Sequence, residues 1–433
     1  MRIEERVRST NEPVPVHGPP ARRRSRLLAS LALAVLAATV TAQVTACSGS
    51  GGSPGSPSSP GQAGPSASAT GSLAAGTETG AAGSSAAAKP PGGPVPHGFV
   101  AQDFTFASAD QGWLLGTAPC STKPCTSIVR TTDGGRTWVG IPAPKAELEP
   151  NGQNGCDANQ LCVRALRFAL STTGYAYGST ALYLTRDGGL TWTKQSGQAD
   201  AVELANGTAL RVSHDTQGCP PGCGYEVSTA PVGSANWQAV TAPGTLTGNA
   251  VQLLRAGHHA YLAVYRNPAG GAENAQATLA TSTDDGRHWT TRGDPCGTDA
   301  GKEGDTTQLA VGPEGSLTVL CLVRGDASGY VITSTDGGAT FGPHHRTPST
   351  RPDAVGAASP TTIIVTVASV LYRSTDAGAS WAAVSHAPAP PANSDGHPVI
   401  GFENAQTGRC VLGSAAVLTT TDAGHSWKTY KFA

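Results

Sequence analysis

The most reactive side chains in this 433-residue sequence are its ten cysteines. Cys120/Cys125, Cys156/Cys162 and Cys219/Cys223 are close in sequence and fall in loop-like stretches. Cys296 and Cys321 make the natural fourth pair, which leaves Cys410 odd and Cys47 far away near the start. A redox or metal role is the competing chemistry. Three residues separate Cys219 from Cys223, not the two of a thioredoxin-type pair. No histidine stands at zinc-like spacing. We therefore expect structural disulfides, no metal and no cofactor.

Acid–base and nucleophilic chemistry is thinly represented. There is no Gly-x-Ser-x-Gly elbow, no P-loop and no His-Glu-x-x-His. Arg164, Arg167, Arg255 and Arg409 are candidate anion binders, and Asp157, Glu203, Glu226 and Glu403 are candidate acids or bases. Nothing in their spacing marks them as convergent. His258-His259 and His344-His345 are adjacent pairs, which point apart on a strand and read best as loop residues. The net charge of −1 supplies no drive toward nucleic acid, and no nucleic-acid partner is expected.

The strongest pattern is an octapeptide, first seen as Thr131-Thr-Asp133-Gly-Gly135-Arg-Thr-Trp138 and again over Thr185–Trp192. It recurs over Ser282–Trp289, Ser334–Phe341, Ser374–Trp381 and Thr420–Trp427, with Asp187, Asp284, Asp336, Asp376 and Asp422 at its third position. The step between the second and third copies is about twice the others. Ser228–Trp237 fits that gap as a degenerate copy that has lost its Asp, which makes seven units of about 48 residues. The Asp can accept hydrogen bonds from turn amides and hydroxyls, the Gly supplies positive φ, and the Trp opens the next strand.

Such turns need strands on both sides. Abundant Gly (55 residues) and few charged residues (14%) favour strands over helices. In the second unit, Ala165–Phe168, Gly174–Gly178 and Ala181–Leu184 read as strands a, b and c, with d starting at Trp192. Four strands repeated seven times predict an all-β, seven-bladed propeller over residues 98–433. The chain enters on a strand a and leaves on a strand d, so ring closure needs no blade shared between the two ends. Residues near Val95–Val100 are available as an extra edge strand.

The octapeptide is similar to the Asp-box of sialidases and of many non-enzymatic propellers. The Gly-Trp/Tyr-x-x-Gly segment ahead of it resembles propellers like the photosystem II stability/assembly factor. That resemblance covers about Phe99–Ala433 and implies the fold and a non-catalytic role, without implying a photosynthetic partner. Sialidase chemistry requires three convergent arginines, a Tyr/Glu pair and an acid/base Asp, and the Arg-Ile-Pro start of that family is absent.

The first residues read as an address. Met1–Arg26 is basic, Leu27–Val40 is apolar and uncharged, and Val44-Thr-Ala-Cys47 follows. This resembles the lipobox of bacterial lipoproteins, with residues 1–46 as signal peptide and Cys47 acylated. An uncleaved membrane helix over Leu27–Ala46 is the alternative. Residues 47–97 form a Ser/Gly/Pro/Ala-rich linker, unable to bury enough apolar surface to order itself and long enough to span roughly 40 Å as a coil.

The expected function is that of a monomeric, non-catalytic lipoprotein on the extracytoplasmic side of the cell membrane, binding a protein or glycan. The alternatives are a sialidase-like glycoside hydrolase and a structural spacer. The boxes are c–d turns, so the long connections Pro142–Leu161, Arg266–Ala275, Gly293–Thr306 and Ser385–His397 gather on the opposite face. The partner is expected there. Deletion of Glu147–Gly155 is expected to spare folding and weaken binding.

Overall fold

The computed structural model describes residues 91–432, apart from 122, 150–155, 158, 216–222, 242–243, 245, 267–275, 298–303, 324–327, 387–398 and 414. Cys47, the proposed signal and nearly all of the linker lie outside the described residues, as do most of the long connections. Among the described residues, no helix is long and apolar enough to cross a membrane.

The strands form seven antiparallel sheets, each built from consecutive strands. Blade 1 holds β1 (Val100–Phe106), β2 (Gly112–Pro119), β3 (Pro124–Thr131) and β4 (Val139–Ile141). The short β5 (Glu147–Leu148) and β6 (Cys162–Val163) pair in parallel between blades 1 and 2. Blade 2 holds β7 (Ala165–Phe168), β8 (Gly174–Gly178), β9 (Ala181–Thr185) and β10 (Thr193–Lys194). Blade 3 holds β11 (Ala201–Ala205), β12 (Thr208–His214), β13 (Cys223–Pro231) and β14 (Gln238–Val240), with β15 (Thr247–Gly248) added to β13. Blade 4 follows as β16 (Ala250–Ala256), β17 (His259–Arg266), β18 (Gln276–Ser282) and β19 (Thr290–Gly293). Blade 5 is β20 (Gly304–Val311), β21 (Leu317–Val323), β22 (Ser328–Ser334) and β23 (His345–Thr350). Blade 6 is β24 (Ala354–Ala357), β25 (Ile363–Val367), β26 (Val370–Ser374) and β27 (Ala382–His386). Blade 7 is β28 (Val399–Phe402), β29 (Gly408–Val411), β30 (Ala416–Thr420) and β31 (Lys428–Lys431).

The seven-bladed all-β propeller expected from the repeat is the fold. Its innermost strands touch in ring order, with β28 meeting β1. Blade 7 is complete within itself, so no strand is exchanged at closure. The segment before β1 adds a single bridge, Gly93 to Gly140, on the outer edge of blade 1. The apolar core lies between blades: Trp113 stacks on Phe168 of blade 2 at 3.7 Å, and Phe99 meets Phe432 of blade 7 at 5.1 Å.

The box turns follow one hydrogen-bond scheme. In blade 1, Asp133 Oδ1 accepts from the Thr131 hydroxyl (2.8 Å) and the Thr137 amide (2.9 Å), and Oδ2 accepts from the Thr137 hydroxyl (2.6 Å). Asp187, Asp336, Asp376 and Asp422 repeat it, and in blade 4 His288 Nδ1 takes the hydroxyl's place on Asp284 at 2.5 Å. These bonds favour the ionised form: Asp284, Asp376 and Asp422 are held down at about 2, against opposing burial at Asp284 and Asp422. Two successive residues take positive φ, as in Gly134 (73°) and Gly135 (88°). Ala377 and Ala423 hold the first of these positions despite the strain on a residue with Cβ.

Blade 3 corrects the sequence reading in one detail. Ser228 lies within β13, where its hydroxyl accepts from Arg211 Nε at 3.0 Å, and it does not open a box. The octapeptide in register is Ala230–Trp237, because Ala230 pairs with Ala209 and lies seven residues before the Trp. With the Ser/Thr and Asp both missing, the neighbouring blade fills in. Tyr175 Oη accepts from Gly233 N (3.0 Å) and donates to Ser234 O (3.1 Å).

Three disulfides join Cys120 to Cys125, Cys156 to Cys162 and Cys296 to Cys321, with Cα separations of 5.8, 6.2 and 5.8 Å. Cys223 is also disulfide-bonded, while Cys219 lies outside the described residues. Cys410 is a buried free thiol, and burial pushes its ionisation up to about 12.

Candidate functional site: a polarised central channel

The seven innermost strands enclose a channel of about 370 Å³. Each of these strands has one edge paired to its own strand b and the other turned toward the ring, so its inward amides need acceptors from a neighbouring blade. Side chains near the middle of strand a supply them. Asp103 accepts from Leu166 N (2.8 Å), Gln252 from Leu309 N (2.8 Å) and Gln308 from Val355 N (2.9 Å). The three residues are equivalent in register, each three before the strand-a residue (Phe106, Arg255 or Val311) whose strand-b partner faces the first box residue. Asp103 and Gln308 both follow a bulge in their strand, which re-aims the side chain.

Charge in the channel is confined to blades 1–3. Asp103 also meets Arg167 Nη1 at 3.2 Å, and Arg167 Nε donates to Glu203 Oε1 at 2.7 Å. Nearer the face opposite the boxes, Arg164 Nη2 donates to Asp200 Oδ1 (3.0 Å), and Glu149 lies 3.6 Å from Arg164 Nε. Asp200 Oδ2 accepts from both His214 N (2.8 Å) and His214 Nδ1 (2.7 Å). Two carboxylates thus face one guanidinium in each group. Blades 4–7 line the channel with residues such as Val251, Leu253, Leu309, Val355 and Ile400, none of them charged.

Burial raises the pKa of Asp103 and of Glu203, with Arg167 opposing in both cases. The hydrogen bond to Asp200 raises His214. Burial pushes the Tyr177 hydroxyl up to about 12, so it is a neutral phenol in the channel wall.

Of the four candidate arginines, Arg164 and Arg167 line the channel, each already bound to carboxylate. Arg409 and Arg255 serve the box face. Arg409 is 1% exposed, donates to Gly134 O (2.9 Å) and Ala109 O (2.8 Å), and lies over Phe106, joining blade 7 to blade 1. Arg255 is bound to Asp285 (2.5 Å), which also takes Asn206 and His258. Arg130 and Arg373 make the same kind of bolt, to Gly188 O and Ala423 O. Three convergent arginines are therefore not present among the described residues. Among the candidate carboxylates, Glu203 joins the channel group and Glu403 pairs with Arg409 at 3.1 Å. Asp157 and Glu226 lie outside the channel lining, Glu226 sharing a surface pocket with His214.

The sequence reading passed over Asp103, Glu149, Tyr177, Asp200 and His214. Glu149 also corrects the expectation for the 147–155 connection. Glu147 and Leu148 pair with β6, and Glu149 accepts from Ser179 N at 3.0 Å, so a deletion starting at Glu147 removes built structure. The one available signal was polar residues inside strand a, as in Gln102-Asp103 and Glu203, where an inner strand otherwise reads as apolar.

No family model matches the chain, and a search of curated proteins finds no match either. Solved structures similar to it include YCF48 from Cyanidioschyzon merolae, at 17% identity over 76% of this chain and 97% of that one, with a TM-score of 0.48. YCF48 bound to a peptide is similar at 16% identity over 76% and 93%, with a TM-score of 0.47. An inhibitor-bound α-L-arabinofuranosidase variant from Fusarium graminearum is similar at 15% identity over 76% and 91%, with a TM-score of 0.39. The likeness is one of architecture.

Proposed function

We propose that this chain is an exported, lipid-anchored propeller that acts without catalysis, binding a protein or glycan partner at the cell envelope through the face opposite its Asp-boxes. One observation carries the reading. At that face, Arg164, Asp200, His214 and Glu149 come together from separate chain segments around the channel mouth, while the box-face arginines are spent on holding blades together. Arg164 keeps 39% of its side chain exposed and is the accessible charge of the group. The disulfides are consistent with an oxidising compartment, and Cys47 supplies the anchor.

A hydrolase reading draws on Tyr177, Glu203 and Asp103 sharing one region, with Arg167 acting on all three. It is the weaker reading, because Arg167 is already bound to two carboxylates and three convergent arginines are not present among the described residues.

Cross-linking and co-purification from the native envelope tests the binding face. Arg164→Glu is expected to abolish capture of the partner, and substitution of Leu170, exposed on an a–b turn of the box face, to leave it intact. Equal capture by wild type and Arg164→Glu overturns the assignment. Palmitate labelling tests the anchor, with label expected on the wild type and absent from Cys47→Ser. Turnover of fluorogenic sialosides or arabinosides by the purified chain would replace the binding reading with the hydrolase.

A further inference from the structure

The channel contains a polar group that the fold leaves unused. Tyr177 is 3% exposed and lines the channel, yet its hydroxyl hydrogen-bonds to none of the described residues. That hydroxyl opens onto the channel and is available to a ligand. Asp103 lines the same channel; its Oδ1 has a long 3.4 Å contact with Arg167, and its carboxylate also takes a backbone bond from Phe104. Oδ2 carries the short bonds to Leu166 and Arg167.

The electrostatics select the sign of that ligand. Asp103 and Glu203 share Arg167, and Asp200 and Glu149 share Arg164. Carboxylates therefore exceed cationic partners in the Arg167 group, whereas His214, raised by Asp200, joins Arg164 in the other, and blades 4–7 add no charge to the channel wall. Low-dielectric walls focus such a field, attracting cations and repelling carboxylates and phosphates. On the opposite wall the side-chain oxygens of Gln252 and Gln308 are already engaged with backbone amides. That wall offers the aliphatic surface of Leu253, Leu309 and Ile400.

We propose that the channel binds an alkylammonium group, with the ammonium between Asp103 Oδ1 and Tyr177 Oη and the methylene stem along Leu253, Leu309 and Ile400. Its source is a lysine side chain presented by a partner, or a free aliphatic amine. The proposal deepens the binding-module reading and rests on it.

The test titrates the whole mature protein with N-acetyl-lysine methylamide and with 1,5-diaminopentane, using the norleucine analogue and N-acetylglutamate as controls. Saturable binding of at least one amine and none of either control is expected. A lysine derivative at least tenfold tighter than the diamine indicates a partner's side chain, and the reverse indicates a free amine. Asp103→Asn is expected to weaken binding at least tenfold, since its amide oxygen still caps Leu166 N as Gln252 and Gln308 cap their neighbours. Tyr177→Phe weakens it several-fold. Glu203→Gln, outside the channel wall, weakens it less than Asp103→Asn. Unchanged near-ultraviolet circular dichroism and urea midpoint confirm that each variant is folded. Failure of both amines to bind wild type overturns the proposal without reference to any variant, as does wild-type affinity in Asp103→Asn. Loss of the envelope partner in Arg164→Glu but not in Asp103→Asn refutes a partner's lysine as the source while leaving the binding face standing.

Discussion

Tyr175→Phe isolates the device that replaces the missing box in blade 3. The substitution keeps the ring, which packs near Trp237 at 5.8 Å, and removes only the hydroxyl. Two hydrogen bonds go with it, Gly233 N to Oη at 3.0 Å and Oη to Ser234 O at 3.1 Å. Each is worth about 1 kcal/mol net. Gly233 and Ser234 are half-buried, so water partly satisfies the freed groups and the full penalty of an unmet buried partner does not apply. The expected loss is about 2 kcal/mol. Urea unfolding of the whole chain should show a lower midpoint with an unchanged slope, since no surface is newly exposed. Amide exchange gives the local readout: the Gly233 N–H should exchange at least tenfold faster, with amides of the intact boxes unaffected. A stability change under about 0.5 kcal/mol together with unchanged Gly233 exchange would refute the claim that Tyr175 stands in for the lost Ser/Thr and Asp.

Three further predictions concern stability. The box carboxylates ionise below their unfolded value of 3.8, so their contribution is present above that pH and is lost as pH falls toward about 2. Acid unfolding should steepen in this window, and Asp422→Asn should reduce the slope there by about one proton. Glu403 runs the other way: burial raises it from 4.5 to about 7, so its contribution is full below 4.5 and is lost as pH rises through 7. Unfolding titrations should show the wild type losing on the order of 3 kcal/mol at most over this range and Glu403→Gln lacking that loss. Replacing Cys296 and Cys321 by Ala opens a covalent loop of sequence separation 25 and should cost about 3 kcal/mol by urea unfolding.

The blades were legible because their signal is local. Asp133 and Thr137 bond within one turn, so the residues that make the bond are also the residues that repeat. The octapeptide therefore reports the number and order of blades even where Tyr175 has taken over in blade 3. There the reading slipped by two residues, because Ser228 offered the right side chain in the wrong register and the true substitute comes from another blade. The channel was not legible for the same physical reason. Asp103, Arg167 and Glu203 come from three blades, and nothing within any one strand announces the other two. Arg164 and Arg409 look alike as sequence, yet one stands at a channel mouth and the other bolts the ring closed.

Register equivalence separates what the ring requires at Asp103 from what it does not. The ring requires an acceptor for the next blade's amide, and Gln252 and Gln308 show that a neutral side chain meets that demand at the same position. A carboxylate there carries a burial penalty that glutamine avoids, visible in the raised pKa of Asp103. Arg167 offsets that penalty, but Arg167 is already bound to Glu203, so Asp103 is not needed to keep the guanidinium paired. The charge at this position is thus surplus to both local structural demands. It faces a channel whose Tyr177 hydroxyl is also surplus. A carboxylate and an open hydroxyl on one side, facing the largely aliphatic lining of blades 4–7, are what a site for an amphipathic cation requires. Wild-type amine affinity in Asp103→Asn would mean that the carboxylate does no more than the glutamines do.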